Sequence, residues 1–286
     1  MAPPAMAVGI STINGTGRVR RCVESVRRAS LCGQVEVSRI VVVDDGSSES
    51  KLRELRDLSQ GLEFEFREHR RNLGISATWN HIIDALMDSP LVLVLNDDIQ
   101  LRPRCLEMLY YFTRWHHGAW GTVSPWLAHR GEPTPLKITG CTPTVPQVAL
   151  SPCGAAFLLR PPFWRAVGGF DETFKSFYEE VDFGLRLAQL GLWSYHLPTV
   201  GADHGWSETF IENAEMLKPE ERMRDSRSYF RSKWGGDLPS APRIQELFSY
   251  MAPHGVHWLS PDGPQDAMCE PIIWAECESA APTIST

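Results

Sequence analysis

Hydrophobic positions in the first hundred residues follow two alternating patterns. Short apolar or β-branched runs occupy residues 5–13, 39–43 and 91–95. Between and after them, apolar residues recur at helical spacing: Cys22, Val23 and Val26; Leu52, Leu55 and Leu58; Trp79, Ile82, Ile83 and Leu86; Leu106, Leu109, Tyr110 and Phe112. Runs of the first kind read as buried strands, and spacing of the second kind marks one face of a helix. Leu62, Phe64 and Phe66 alternate with polar residues, as a half-exposed strand does. Residues 47–50 supply N-cap candidates for the helix that follows. Strands alternating with helices over short connections predict an α/β protein with a mostly parallel sheet flanked by helices.

The pattern changes after residue 115. Residues 118–146 are rich in Gly, Pro, Thr and Trp and read as loops and short strands. A strand is predicted at 155–159. A short helix opens on Pro161-Pro162 and closes at Gly168-Gly169. A helix over 181–191, a strand over 193–197 and a long helix over 219–234 complete the body. Beyond residue 239 only Ile244, Leu247, Phe248 and Met251 keep helical spacing, and Pro, Gly and Ser dominate to the end. The predicted organisation is a body over 1–238, with a ligand-binding half (1–100) and a catalytic half (101–238), followed by a helical or irregular extension over 239–286.

Composition narrows the class. The chain has 286 residues, 43% of them hydrophobic and 22% charged, which excludes wholesale disorder. Its 28 basic and 35 acidic residues give a net charge of −7, but six acids and no Lys or Arg fall after residue 243. The acidity therefore belongs to the C-terminal extension, and an anionic partner of the body stays open. Seven cysteines without a C-x-x-C pair fit reduced thiols, and residues 1–9 lack the features of a signal peptide. No apolar run approaches the roughly 18 residues of a membrane span. The expectation is a cytoplasmic protein, with peripheral membrane contact and homo-oligomerisation left open.

Three clusters carry candidate chemistry. Asp44-Asp45-Gly46-Ser47 and Asn96-Asp97-Asp98 each follow a predicted strand, so they share one rim of the sheet, where ligands bind in such folds. Carboxylates there either hold a hard cation that neutralises phosphate or bond a ribose and base. Asp-Asp-Gly-Ser is equally a plain turn. Tyr178-Glu179-Glu180-Val181-Asp182 opens a helix; its acids either complement the helix dipole or supply a general base. His204 lies between glycines after a strand, placed to join a metal site.

In this order the pieces resemble the GT-A-fold, family 2-like glycosyltransferases. Residues 41–47 are similar to the V-V-D-D-G-S nucleotide motif. Arg71-Asn72-Leu73-Gly74 with Trp79-Asn80 resembles the N-x-G…N segment, and residues 93–98 resemble the D-x-D-type metal motif. Gly168-Gly169-Phe170-Asp171-Glu172, then Glu179-Glu180-Val181-Asp182 through Leu185-Arg186, resembles the G-G-F-D-E…E-D-x-D…L-R block. The resemblance covers about residues 5–236.

It implies a GT-A fold and transfer of a sugar, with inversion, from a nucleoside-diphosphate donor to an acceptor hydroxyl, assisted by Mn2+ or Mg2+. It implies Asp45 at the nucleobase with Ser11 beside it, Arg71 at the base or diphosphate, and Asn96 and Asp97 at the ribose. Asp98 and His204 become metal ligands and Glu180 the base, with Glu179 and Asp182 as rivals. Glu180 and Asn96 both stand where the family usually has Asp. Trp206 is a candidate sugar or acceptor contact. Among Arg222, Arg224, Arg227, Arg231 and Lys233, a solvated helix face is the plain reading and a diphosphate clamp the alternative. A nucleotidyltransferase and a non-catalytic binding module on the same fold are the competing functions. The acceptor could be a glycan, lipid, small molecule, protein or nucleic acid.

Overall fold

The computed structural model describes residues 5–33, 35–116, 120–129, 147–205, 208–238 and 274–276. The first half alternates as the periodicity predicts: β1 (Ala5–Thr12), α1 (Thr16–Gly33), β2 (Glu36–Asp44), α2 (Glu49–Gly61), β3 (Glu65–Glu68), α3 (Ile75–Ala85) and β4 (Val92–Asn96). Then come β5 (Ile99–Leu101), α4 (Cys105–Trp115), β6 (Trp120–His129), β7 (Gln147–Ala149), β8 (Ala156–Leu159), α5 (Pro161–Ala166), α6 (Glu179–Gln189) and β9 (Trp193–His204). α7 (Glu208–Glu212), α8 (Ala214–Leu217), α9 (Pro219–Trp234) and β10 (Trp274–Glu276) follow. The extension expected over 239–286 lies outside the described residues except for β10.

The ten strands of the described residues join one sheet in the order β10-β7-β9-β6-β8-β4-β1-β2-β3, with β5 paired to β9. β3, β2, β1 and β4 are parallel. β8 runs antiparallel to β4 and β6, and β6 and β9 are parallel again. The carboxyl ends of β1, β2, β4, β6 and β9 and the amino end of β8 therefore meet on one rim.

Period-2 alternation builds a core on each face. Met6, Val8, Ile10, Val42, Leu93 and Leu95 face α1, α2 and α4. Ala7, Val41, Val43, Val92 and Val94 face Trp79, Ile82 and Ile83 of α3 and Phe183 and Leu187 of α6. Gly9 belongs to the second face, where a Cβ would sit 1.9 Å from Ile82 Cγ2, so α3 lies close on the strand there.

The sequence pattern does not predict the short strands β5, β7 and β10, and β6 and β9 differ from it. β6 occupies part of the segment read as loops and short strands. Its register shifts at Trp120/Thr122 and Pro125/Trp126, bulges that let Pro125 sit inside a strand. β9 runs to His204, well past the predicted end at 197, because β6 on one side and β5 and β7 on the other pair along it.

Candidate active site

The rim encloses a cavity of about 400 Å3. Ser11, Asp45, Asn96, Asp97, Asp98, Glu179, Glu180 and His204 all line it, brought together from four strands and one helix. Trp206 lies outside the described residues.

The turn after β2 separates its two aspartates by role. Asp44 is fully buried, and its Oδ2 accepts the amides of Gly46 at 3.0 Å and Ser47 at 2.8 Å, so it shapes the turn. Burial raises its pKa, opposed by those bonds. Asp45 organises the 69–74 turn. Its Oδ1 accepts from Leu73 N at 2.8 Å and contacts His69 Nδ1 at 3.0 Å; its Oδ2 accepts from Gly74 N at 2.9 Å and Asn72 Nδ2 at 2.7 Å. Four protein donors fill the four lone-pair directions of this carboxylate. A nucleobase contact, the role implied for Asp45, would have to displace one of them.

Arg71 is exposed and absent from the cavity wall, in contrast to the base or diphosphate role implied for it. Its backbone is pinned under Gly46, where a Cβ would come within 2.4 Å of the Arg71 carbonyl carbon. The cation that faces the cavity is Arg222 of α9, whose guanidinium donates to Asn72 Oδ1 at 2.7 Å and Ser176 Oγ at 3.4 Å. Burial lowers its pKa, and the nearby Asp45 charge opposes the shift. The solvated-face reading thus fails for this one arginine, because the fold returns α9 over the rim.

Beyond β4 the three polar residues diverge. Asn96 Oδ1 accepts from Ser11 Oγ at 3.0 Å. Asp97, 2% exposed, is enclosed: Oδ1 accepts from Arg18 Nε at 3.0 Å and Thr209 Oγ1 at 3.3 Å, and Oδ2 from Thr12 Oγ1 at 2.5 Å. Its pKa is pushed up to about 6, mainly by burial, with Asp98 adding and Arg18 and Thr12 opposing. Asp98 is 4% exposed, and its Oδ2 lies 3.3 Å from His204 Nε2. Its buried Oδ1 has no hydrogen-bond partner among the described residues. The pair exists because β5 pairs with β9, setting Ile99 opposite His204.

The glutamates arrive differently. Phe177 and Tyr178 both hold left-handed backbone, with φ of 69° and 68°, which turns the chain so that α6 begins at the cavity. Such strain persists only where surroundings enforce it. Here Phe177 stacks on Phe210 with centroids 5.2 Å apart, and Ser226 Oγ donates to the Ser176 carbonyl at 2.7 Å. Glu180 rests on Gly154, where a Cβ would stand 3.4 Å from its Cδ. Its buried Oε2 has no partner among the described residues, and burial pushes its pKa up to about 7.

Asp182 is a correction. It is fully buried away from the cavity wall, bonded to Arg186 Nε at 2.8 Å and Trp234 Nε1 at 3.0 Å and ion-paired with Lys233 at 2.7 Å. Two residues on from Glu180, it projects from the opposite side of α6, and its bonds tie α6 to α9 away from the cavity. Arg18, Phe177, Phe210 and Gly154 went unnoticed in the sequence. Their roles arise from partners 26 to 79 residues away, which leave no local signature.

Residues 7–138 match the sequence model of glycosyl transferase family 2. Solved structures share the fold. A mannosyltransferase from Pyrobaculum calidifontis, in complex with GDP-Man and Mn2+, superposes with a TM-score of 0.58 at 15% identity over 87% of this chain and 70% of that one. GalNAc-T7 with UDP, GalNAc and Mn2+ gives 0.55 at 16% identity over 87% and 55%, and S. aureus TarS gives 0.54 at 14% over 85% and 47%. The chain thus spans about half the length of the GalNAc-T7 and TarS chains. No curated protein matches it by sequence. The fold is that of the GT-A glycosyltransferases. The matched segment covers Asp44-Asp45 and Asn96-Asp97-Asp98, so over residues 7–138 the chain is similar to glycosyl transferase family 2. No described helix is long and apolar enough to cross a membrane.

Proposed function

We propose that the protein is a metal-dependent, inverting glycosyltransferase that moves a sugar from a nucleoside-diphosphate donor to an acceptor hydroxyl. One observation carries the reading: on the wall of one cavity, Glu180 and Asp98 each hold a buried carboxylate oxygen without a hydrogen-bond partner among the described residues. Unsatisfied buried acceptors are costly and mark places where a ligand completes the set.

Asp98 and His204 fit a divalent cation in their chemistry. Among the described residues no group of three or more His, Cys, Asp or Glu gathers, so the protein would supply two ligands. Diphosphate and water oxygens would complete the shell, as is usual for such cations. The imidazole donor favours Mn2+ over the all-oxygen preference of Mg2+. Such a cation, when bound, neutralises charge developing on the diphosphate.

The remaining work falls to side chains. Arg222, whose guanidinium donates to the neutral Asn72 and Ser176, gives the diphosphate or base a cationic neighbour. Asn96 and Ser11 offer the ribose an amide and a hydroxyl. Glu180, poised near neutrality, takes the acceptor proton while that oxygen attacks the anomeric carbon from the face opposite the leaving group.

A donor-hydrolysis and transfer screen with mass detection, run over nucleotide sugars with and without Mn2+, tests the proposal. Metal-dependent release of one nucleoside diphosphate is the expected result. Binding of nucleotide without any sugar release under all conditions would overturn it in favour of a binding module.

A further inference from the structure

Three side chains behind the cavity wall form a hydrogen-bonded line ending on Asp45. Arg67 Nη1 lies 3.5 Å from His81 Nε2, His81 Nδ1 lies 2.9 Å from His69 Nε2, and His69 Nδ1 lies 3.0 Å from Asp45 Oδ1. The imidazoles are nearly parallel, 17° apart. The ends of the line fix its protons. Arginine only donates, so His81 Nε2 accepts. The hydrogen of His81 then sits on Nδ1 and is donated to His69 Nε2. His69 in turn carries its hydrogen on Nδ1 and donates it to the Asp45 carboxylate. With one hydrogen on each ring, both are in the Nδ1–H form, the minor tautomer of free histidine.

From this we infer that Arg67 and His81 are positioning residues. They fix the tautomer of His69 and, through it, the Asp45 carboxylate that gathers Asn72, Leu73 and Gly74. The turn that presents Asn72 to the cavity stays firm while this line of hydrogen bonds holds.

The charges around the pair set how it responds to acid. Asp45 at the end of β2, Glu65 on β3 and Asp84 on α3 favour a proton on it. Arg67 on β3 opposes one, and Glu65 is itself engaged by Arg39 and Arg67 at 2.7 Å. Burial, His69 and Arg67 hold His81 below its ordinary value. A first proton from solvent puts a hydrogen on His81 Nε2, either directly or by reversing the inner bond, and breaks the contact with Arg67. A second places two N–H groups and two charges face to face across 2.9 Å, and the rings must part. His69 then leaves Asp45 Oδ1, an oxygen that also holds the Leu73 amide. The meaning for donor binding rests on the function proposed above; the tautomer line does not.

Nitrogen-15 NMR of the imidazoles together with amide exchange tests this on the ligand-free protein. At about pH 7.5 both His69 and His81 should be Nδ1–H tautomers. As pH falls from about 6.5 to about 4.5, protection of the Leu73 and Gly74 amides should fall on the order of tenfold, since His81 is held below the ordinary histidine value. In Arg67→Met, which removes the opposing charge, that fall should move to higher pH by roughly one unit. Either ring in the Nε2–H form near pH 7.5, or protection that stays constant over this range in the wild type, would overturn the proposal. Titration with UDP and GDP in the presence of Mn2+ is the separate arm. Absence of binding there would count against the donor reading while the NMR result still decides this one.

Discussion

Arg18 Nε lies 3.0 Å from Asp97 Oδ1, and both side chains are under 5% exposed. The pair joins α1 to the end of β4. Gly15 stands at the junction, where a Cβ would come within 2.0 Å of Asp97 Oδ2. Breaking a buried pair from one side strands a charge. Arg18→Met should therefore cost about 3–5 kcal/mol of stability. Combining it with Asp97→Asn should recover part of the loss, because no charge is left buried alone. Urea denaturation of the three variants measures this, and a double variant no more stable than Arg18→Met would refute the account.

Asp98 and His204 should be inseparable from metal-dependent donor binding. In Asp98→Ala, nucleoside diphosphate affinity should lose its dependence on Mn2+, while affinity without Mn2+ stays near that of the wild type. His204→Ala should weaken the same dependence less, since a carboxylate contributes charge that an imidazole does not. Calorimetric titration with and without Mn2+ reads both. Unchanged metal dependence in Asp98→Ala would place the cation elsewhere.

Glu180→Gln should keep donor binding and lower transfer on the order of 10²–10⁴-fold. Glu180→Asp, which keeps the carboxylate one methylene shorter, should retain part of the activity. With the carboxyl titrating at about 7, kcat/KM of the wild type should rise as pH increases through neutrality. The stability effect has the opposite direction. Folding raises this pKa from 4.5 to about 7, so the native state prefers the protonated form. The burden is absent below about pH 4.5, grows as pH rises and levels off above about 7. Glu180→Gln should thus stabilise the protein at about pH 8, by on the order of 1–3 kcal/mol, and have little effect near pH 4.5. Equal melting temperatures for the two proteins at both pH values would rule this out.

Asp182 offers the contrasting case. Asp182→Asn removes the charge that faces Arg186 and Lys233. Lys233 keeps Asp171 at 2.7 Å, and Arg186 keeps the Val167 and Gly169 carbonyls at 2.6 Å. The expected loss is therefore about 2–4 kcal/mol, below that of a fully stranded pair. Turnover per folded molecule should stay within a few-fold of the wild type. A drop matching that of Glu180→Gln, with stability intact, would return Asp182 to the list of bases.

Arg222→Gln should weaken donor binding without abolishing its response to Mn2+, since the guanidinium acts on the ligand beside the cation site and not through it. Nucleotide Kd measured with and without Mn2+ separates the two effects. An unchanged Kd would return Arg222 to the plain helix-face reading.

Periodicity alone was enough to lay out the parallel half of the sheet. Val92 and Val94 alternate with Leu93 and Leu95 to fill two cores at once, and a strand covered on both faces must read that way. The acidic strand ends were visible for the same reason: the pattern says where a strand stops, and Asp44-Asp45 and Asn96-Asp97-Asp98 stand there. β6 was hidden because its membership in the sheet depends on partners, and its Pro125 is tolerated only at a bulge.

The division between sequence and fold follows the range of the forces involved. Local spacing and turn chemistry determined which carboxylates reach the rim, since strand and helix ends are set by neighbouring residues. Tertiary structure decided what each one does there. Asp45, Asp97 and Asp182 are similar in sequence setting to Asp98 and Glu180, yet their oxygens meet donors from distant elements: Gly74, Arg18, Trp234. Asp98 and Glu180 keep a buried oxygen unpartnered among the described residues. A carboxylate that has found its hydrogen bonds within the protein holds the fold together, and one that has not is left for a ligand. That difference depends on contacts made only when the chain closes.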